Sequence, residues 1–383
     1  MLNQKHIATF QEHATPYYAY DLDLLMRTLE AAKQASSPFK YHVHYAMKAN
    51  VDAKVLAKIR EAGFGADCVS GNEVKCAIES GFKASSVVFA GVGKGDEEIR
   101  YALKQDIFCF NCESLPEIEI INQLAGEHVK KAKIALRINP NVHANTHHYI
   151  TTGLEENKFG ISIHELPEVV EAMKEMTHIE LIGIHFHVGS QITDLGVFRS
   201  LCLRVNEIQE WFASRRLPLK IINVGGGLGV NYHEPDANAI PDLKSYFEVF
   251  SKFLQVRPGQ QVHFELGRAL VAQCGNLISR VLYVKKGVQT NFAILDAGMT
   301  ELIRPALYQA YHKIENMTAS PGATTARYDV VGPVCESSDC FGKAVDLPEV
   351  KRGDLFAIRT AGAYGEVMAS HYNLRQLEPT VYF

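Results

Sequence analysis

Eight short runs rich in strand-forming residues, separated by helix-like stretches, constrain this chain more than any other feature. They fall at 41–46, 64–69, 86–90, 107–110, 133–139, 181–188, 219–224 and 261–265. That alternation is the spacing of βα units, whose strands pair in parallel. Several of the intervening helices announce their starts. Ser70-Gly71-Asn72-Glu73 reads as a capping box, the Ser70 hydroxyl accepting from the Glu73 amide and the Glu73 carboxylate returning the bond to Ser70. Ser114 to Glu117 repeats the pattern. Eight parallel strands with helices between them predict an α/β fold with a closed parallel (β/α)8 barrel rather than an open doubly wound sheet.

Beyond Ala269 the pattern changes. Short strands are expected at Val271–Tyr283, Phe292–Leu295, Tyr328–Val331, Leu355–Arg359 and Thr380–Phe383, set apart by Gly, Pro and Asp turns. The N-terminal segment is mixed, with a strand around Thr15–Tyr20 and a helix over Leu22–Ala35. The expected division is a barrel over 28–270, and a predominantly β domain built from 1–27 and 271–383. A chain of 383 residues has length for both.

The net charge of −4 leaves no basic footprint for nucleic acid or an anionic membrane. No apolar run approaches membrane-spanning length, and the first residues lack a signal peptide's apolar core. The expectation is a soluble, cytoplasmic protein acting on a small molecule. Eight scattered cysteines then read as reduced thiols. Cys109-Phe110-Asn111-Cys112 has a redox or zinc spacing, but no second Cys or His pair accompanies it, so core or loop thiols are expected there.

Chemistry is expected at the C-terminal tips of barrel strands. Lys48 follows the first strand, within Tyr45-Ala46-Met47-Lys48-Ala49-Asn50, and such a lysine points into the barrel mouth. Gly225-Gly226-Gly227-Leu228-Gly229 follows the seventh, where glycines let main-chain N–H groups approach an anion. It is not a dinucleotide fingerprint, because the G-x-G-x-x-G spacing is missing. Glu265-Leu266-Gly267-Arg268 ends the eighth strand, and a carboxylate there suits a pyridine nitrogen that must stay protonated. His185 and His187 share one face of the sixth strand by its period of two. With His42 and His44 they leave a metal site as the competing reading, one needing a further carboxylate and another ligand. Singly, each of these residues has an ordinary structural explanation: a surface lysine, an ion pair, a tight turn, a core histidine.

Taken in order along nearly the whole chain, the motifs resemble the pyridoxal-phosphate enzymes of the alanine-racemase-like fold, and among them the diaminopimelate decarboxylases. The resemblance rests on residues 45–50, Glu156-Asn157-Lys158-Phe159-Gly160, His187-Val188-Gly189-Ser190-Gln191 and the 225–229 glycines. It continues through Arg304-Pro305-Ala306-Leu307-Tyr308, Cys335-Glu336-Ser337-Ser338-Asp339 and Gly362-Ala363-Tyr364-Gly365. It implies pyridoxal 5'-phosphate as cofactor and decarboxylation of meso-2,6-diaminopimelate to L-lysine, the last step of lysine biosynthesis. It also implies roles. Lys48 would bond the cofactor, and His187 would stack on its ring. Ser190, Gly225, Gly226 and Gly227 would hold the phosphate with the Gly267–Arg268 segment nearby, and Glu265 would meet the ring nitrogen. Arg268, Arg304 and Tyr308 would hold substrate carboxylates, Arg304 the distal one. Glu336 would pair with the distal ammonium, Tyr364 would reach phosphate and substrate, and Cys335 would return a proton to the α-carbon. No metal is implied.

The resemblance further implies a homodimer with composite sites, Cys335 and Glu336 entering the neighbouring subunit's barrel. This chain departs from the family at Leu266, where proline is common; that alters backbone stiffness but removes no functional group. The competing readings are a decarboxylase of ornithine, arginine, lysine or a carboxy-polyamine, a racemase, a cofactor carrier, or a metal-dependent barrel hydrolase. A racemase would need a second base facing Lys48. A carrier would be a bare barrel.

Overall fold

The computed structural model describes residues 2, 4–142, 158–320 and 322–383. The expected Glu156-Asn157 part of one motif therefore lies outside the described residues. After a helix at Gln4–Gln11, strand β1 (Tyr17–Tyr20) and the helix Leu22–Ser36 lead into eight strands. These are β2 (His42–Ala46), β3 (Gly65–Cys68), β4 (Val87–Phe89), β5 (Cys109–Cys112), β6 (Ala132–Arg137), β7 (Ile179–His185), β8 (Ile221–Asn223) and β9 (Gln261–Leu266). They close into one barrel, β2 pairing in parallel with both β3 and β9. Each expected run contains or overlaps one of these strands. Four of them, β3, β4, β5 and β8, are wholly buried, as strands covered on both faces tend to be.

The helix starts hold one surprise. Ser70 and Ser114 accept from the Glu73 and Glu117 amides as expected. The glutamates, however, return their bonds to Val69 and Glu113, both at 2.7 Å, one residue earlier than a capping box places them. The two serines have the extended backbone usual for the residue before a helix (φ −149° and −160°).

The remaining strands are β10 (Gly275–Lys286), β11 (Asn291–Leu295), β12 (Ile314–Asn316), β13 (Thr325–Val331), β14 (Cys340–Pro348), β15 (Leu355–Ile358) and β16 (Val381–Tyr382). They form a sheet in the order β12-β15-β10-β11-β13-β14, with β1 joining through β10 and β16. Two of them, β12 and β14, escape a sequence reading. β14 is poor in β-branched residues (Cys-Phe-Gly-Lys-Ala-Val-Asp-Leu-Pro) and half-exposed, and its ladder to β13 is what makes it a strand. Val271, expected in a strand, instead closes the short helix Arg268–Val271.

The chain forms two compact units. One comprises Leu29–Gly229 and Asp242–Gly267, the barrel; the other comprises Met1–Thr28, Val230–Pro241 and Arg268–Phe383, the β unit. The excursion Val230–Pro241 between two barrel strands thus packs with the β unit, which no change in composition announces.

Candidate active site

In the barrel unit, the polar side chains at the strand ends converge on Glu265. Oε1 accepts from Asn111 Nδ2 at 3.0 Å and from Asn223 Nδ2 at 2.7 Å. Oε2 pairs with His185 Nε2 at 2.9 Å. All four residues are buried. Burial pushes the Glu265 carboxyl up, but His185, Lys48 and His187 outweigh it and hold it below the usual carboxylate range. The result is a carboxylate kept ionised in a dry place.

Lys48 sits in the 3-10 turn Met47–Ala49 directly after β2, and its Nζ lies 3.5 Å from the buried carboxyl of Asp67 on β3. Burial, and then the nearby charge of Glu265, hold Asp67 above the ordinary carboxyl range, with Lys48 opposing them. His187, two residues past the end of β7, is held neutral: burial lowers it well below the imidazole range, and Arg137 and Lys48 add to the effect. Arg137 in turn is paired with Glu113 at 2.7 Å, and Glu113 accepts the Gly160 amide at 2.9 Å. Ser190 lies three residues beyond His187, in the loop after β7.

The glycine run after β8 has a steric reason. A Cβ on Gly226 would lie 1.8 Å from the Glu265 carbonyl oxygen, and one on Gly225 (φ +69°) would lie 2.2 Å from the Phe186 carbonyl oxygen. The turn packs main chain against main chain, tied by the Glu265 amide donating to the Gly225 carbonyl at 2.8 Å. Gly267 serves Lys48's turn in the same way, because a Cβ there would crowd Ala46 and Ala49 at 3.1 Å.

The β unit carries a different cluster. Arg268 and Arg304 are both buried, and both donate to the Tyr232 hydroxyl, at 2.5 and 3.4 Å. Arg304 Nε also donates to His312 Nε2 at 3.2 Å. The Arg268 guanidinium lies 4.9 Å from the Tyr364 ring centroid, and the Arg304 guanidinium 6.0 Å from that of Tyr308. Burial lowers Arg304, and the positive charge of Arg268 lowers it further. Cys335 and Glu336 are exposed in the same unit. Asn373 Nδ2 donates to Cys335 Sγ at 3.5 Å, and the Tyr372 hydroxyl bonds Glu336.

The competing metal reading finds its histidines engaged elsewhere. His44 Nε2 and His263 Nδ1 are 2.8 Å apart, His42 stacks on His263, and His185 serves Glu265. Among the described residues no group of three or more His, Cys, Asp or Glu could hold a metal ion. Cys109 and Cys112 are buried free thiols of β5, as expected of core cysteines.

Residues 22–272 match the model of the pyridoxal-dependent decarboxylase family, in its pyridoxal-binding domain. Over 372 residues the chain is 57% identical to a diaminopimelate decarboxylase of Bacteroides thetaiotaomicron, covering 97% of this chain and 96% of that one. The chain belongs to the pyridoxal-dependent decarboxylase family. Two solved members share its architecture. One is diaminopimelate decarboxylase from Helicobacter pylori complexed with L-lysine, with a TM-score of 0.92 and 40% identity over 99% of this chain and 94% of that chain. The other is the enzyme from M. jannaschii in co-complex with L-lysine, with a TM-score of 0.90 and 32% identity over 98% of this chain and 89% of that one.

The barrel's donor set fits the cofactor of that family. A primary amine suits an aldehyde, and an ionised buried carboxylate suits a protonated ring nitrogen. A neutral imidazole suits a flat aromatic face, and a turn without side chains suits a phosphate. A sequence reading misses Asp67, Asn111, Asn223 and Arg137. All four stand at strand ends, so the strand-end rule could have found them. It also misses Tyr232 and His312, for which no motif gives a signal.

Proposed function

We propose that this chain decarboxylates meso-2,6-diaminopimelate to L-lysine and carbon dioxide, using pyridoxal 5'-phosphate. The observation that carries the choice of substrate is the buried guanidinium of Arg304, whose hydrogen bonds among the described residues go to the Tyr232 hydroxyl and the neutral His312 ring. A buried cation with neutral partners is costly until an anion meets it. Diaminopimelate brings a second carboxylate, which survives the reaction. Ornithine, arginine and lysine have none to offer.

When bound, the cofactor supplies an aldehyde that takes up amines and a ring that accepts the electron pair left by the departing carboxylate. Lys48 would provide the amine that anchors it. Asp67, 3.5 Å from the Lys48 amine, orients that amine at the end of β2. Glu265, immobilised by three donors, keeps the ring nitrogen protonated, and His187 offers an uncharged face to the ring. Ser190, Gly225, Gly226, Gly227, Gly267 and Arg268 hold the phosphate, with Tyr364 reaching both phosphate and substrate. Arg304 holds the distal carboxylate, with Arg268 and Tyr308 completing the carboxylate contacts. Glu336 pairs with the distal ammonium. Cys335 returns a proton to the α-carbon, a task that suits an exposed loop able to approach the reacting atom.

Incubating the holoenzyme with meso-diaminopimelate and, separately, with ornithine tests the reading. L-lysine and carbon dioxide should form from the first alone. Putrescine released with comparable kcat/KM from the second would overturn the substrate assignment.

The assembly proposed is a two-fold dimer in which Lys48 comes from one chain and Cys335 with Glu336 from the other. Leu307, Tyr311, Tyr372 and Leu374, all exposed in the β unit, supply apolar surface for such a partner. Mixing Lys48→Ala with a Cys335→Ala, Glu336→Ala double variant gives half heterodimers, each with one native site. Activity should then return to roughly a quarter of wild type when subunits exchange at random. No recovery despite demonstrated exchange would exclude shared sites. The eight free thiols favour a cytoplasmic location.

A further inference from the structure

We infer that His312 is the positioning residue that aims the Arg304 guanidinium at the substrate's distal carboxylate, by accepting the Nε–H of that arginine. The inference rests on the reading of Arg304 given above and adds a residue that no motif marks.

Its ring is buried and gripped at both nitrogens. Nδ1 lies 2.9 Å from the Arg359 carbonyl oxygen, and Nε2 lies 3.2 Å from Arg304 Nε. A carbonyl can only accept and an arginine Nε–H can only donate, so Nδ1 must carry the hydrogen and Nε2 must be the bare acceptor. The tautomer is therefore fixed by its partners, and the ring has to be neutral. Burial, followed by the charge of Arg304, lowers its pKa to about 3, which agrees.

The far anchor is itself rigid. Arg359 donates its amide to the Lys313 carbonyl at 2.9 Å, and its side chain bonds Asn276, Asp236 and Glu315. Tyr232 packs edge-on against the imidazole, with ring centroids 5.1 Å apart, and takes Arg304 Nη2 on its hydroxyl. With Nε held by His312 and Nη2 held by Tyr232, the guanidinium plane is held at two of its nitrogens. A forked donor of this kind binds a carboxylate well only when its plane is set.

The test separates aiming from mere packing. Glutamine at 312 places a carbonyl oxygen where Nε2 stands and can accept from Arg304. Asparagine instead keeps a donor near the Nδ1 position for Arg359 and leaves Arg304 without its acceptor. His312→Ala and His312→Asn should raise KM for meso-diaminopimelate about tenfold, with kcat changed far less, and His312→Gln should recover most of that loss. A binding readout without turnover uses L-lysine, which keeps the distal carboxylate, against 1,5-diaminopentane, which lacks it. The Kd of L-lysine for the holoenzyme should rise about tenfold in His312→Asn, and that of the diamine should not move. If asparagine restores both constants and glutamine does not, the histidine is a structural tie to Arg359 and the inference is wrong. Unchanged constants in every His312 variant, with Arg304→Ala still impaired, would overturn the aiming role alone. An Arg304→Ala variant that behaves as wild type would remove the reading beneath it as well. If the alanine variant folds poorly, the Gln and Asn variants decide the matter at matched Tm.

Discussion

The two polar clusters of this molecule treat charge in opposite ways. At the barrel strand ends, Glu265 is a buried anion held from within by three donors, His185, Asn111 and Asn223, which leave its carboxylate acceptor capacity for one more. In the β unit, Arg304 is a buried cation whose hydrogen bonds among the described residues go to a phenol and an imidazole, neither of which neutralises it. The first arrangement is nearly complete within the fold and should be rigid and stabilising. The second is left wanting an anion, and burial already weakens the hold of Arg304 on its proton. A network finished by the fold serves a cofactor that stays. A network left open serves a substrate that comes and goes. This contrast gives each cluster its own signature under mutation.

The largest expected effect is loss of the amine. Lys48→Ala should lower turnover by several orders of magnitude, as removal of a covalent catalyst does. Borohydride treatment of the wild-type holoenzyme, followed by peptide mapping, should find the pyridoxyl label on Lys48, and a label on another lysine would refute the assignment.

Next comes the closed network. Glu265→Ala strands three buried donors and should cost about 3–5 kcal/mol of unfolding free energy in addition to activity. Urea denaturation measures it, and a loss below about 1 kcal/mol would mean that the network does not carry the stability argued for it.

The open cluster should respond in the reverse sense. Arg304→Met keeps much of the apolar stem and removes a desolvated cation. Its Tm should stay level or rise, while kcat/KM for diaminopimelate falls about ten- to a hundredfold, the worth of a charged hydrogen bond of roughly 1.5–3 kcal/mol. A lowered Tm with intact kinetics would erase the distinction between the two clusters.

The smallest effect is a pH slope. His44 and His312 are held at about 4 and about 3, chiefly by burial, against about 6.5 for an ordinary imidazole. Between those folded values and 6.5 the unfolded chain binds protons that the folded chain refuses, so stability falls as pH drops through that window and levels off below it. At pH 5 each should have cost about 2 kcal/mol relative to neutral pH. Urea midpoints at pH 7 and pH 5, compared in wild type and His312→Gln, should show the shallower slope in the variant. Equal slopes would show that His312 is not buried as a neutral ring.

Much of this architecture was legible in the residues. The alternation of strand and helix dictated a parallel barrel because strands covered on both faces must be short, apolar and joined by crossovers. The strand-end rule located Lys48, His187, the glycine turn and Glu265 without any knowledge of their neighbours. Those are local facts, written within a few residues of each site. Other facts are not local. Asn111 and Asn223 became partners of one carboxylate only when the barrel closed and brought residues 154 and 42 positions from Glu265 into hydrogen-bonding range. β14 exists because β13 offers it a ladder, against its own weak propensity. The capping glutamates accept from Val69 and Glu113, one residue before the serines, which the capping pattern in the sequence does not specify. Tyr232 and His312, eighty positions apart and unmarked by any motif, meet at Arg304 because the excursion Val230–Pro241 packs with the β unit. Sequence periodicity records what each segment must bury. Which distant polar groups then satisfy one another depends on where the chain returns, and only the tertiary structure decides that.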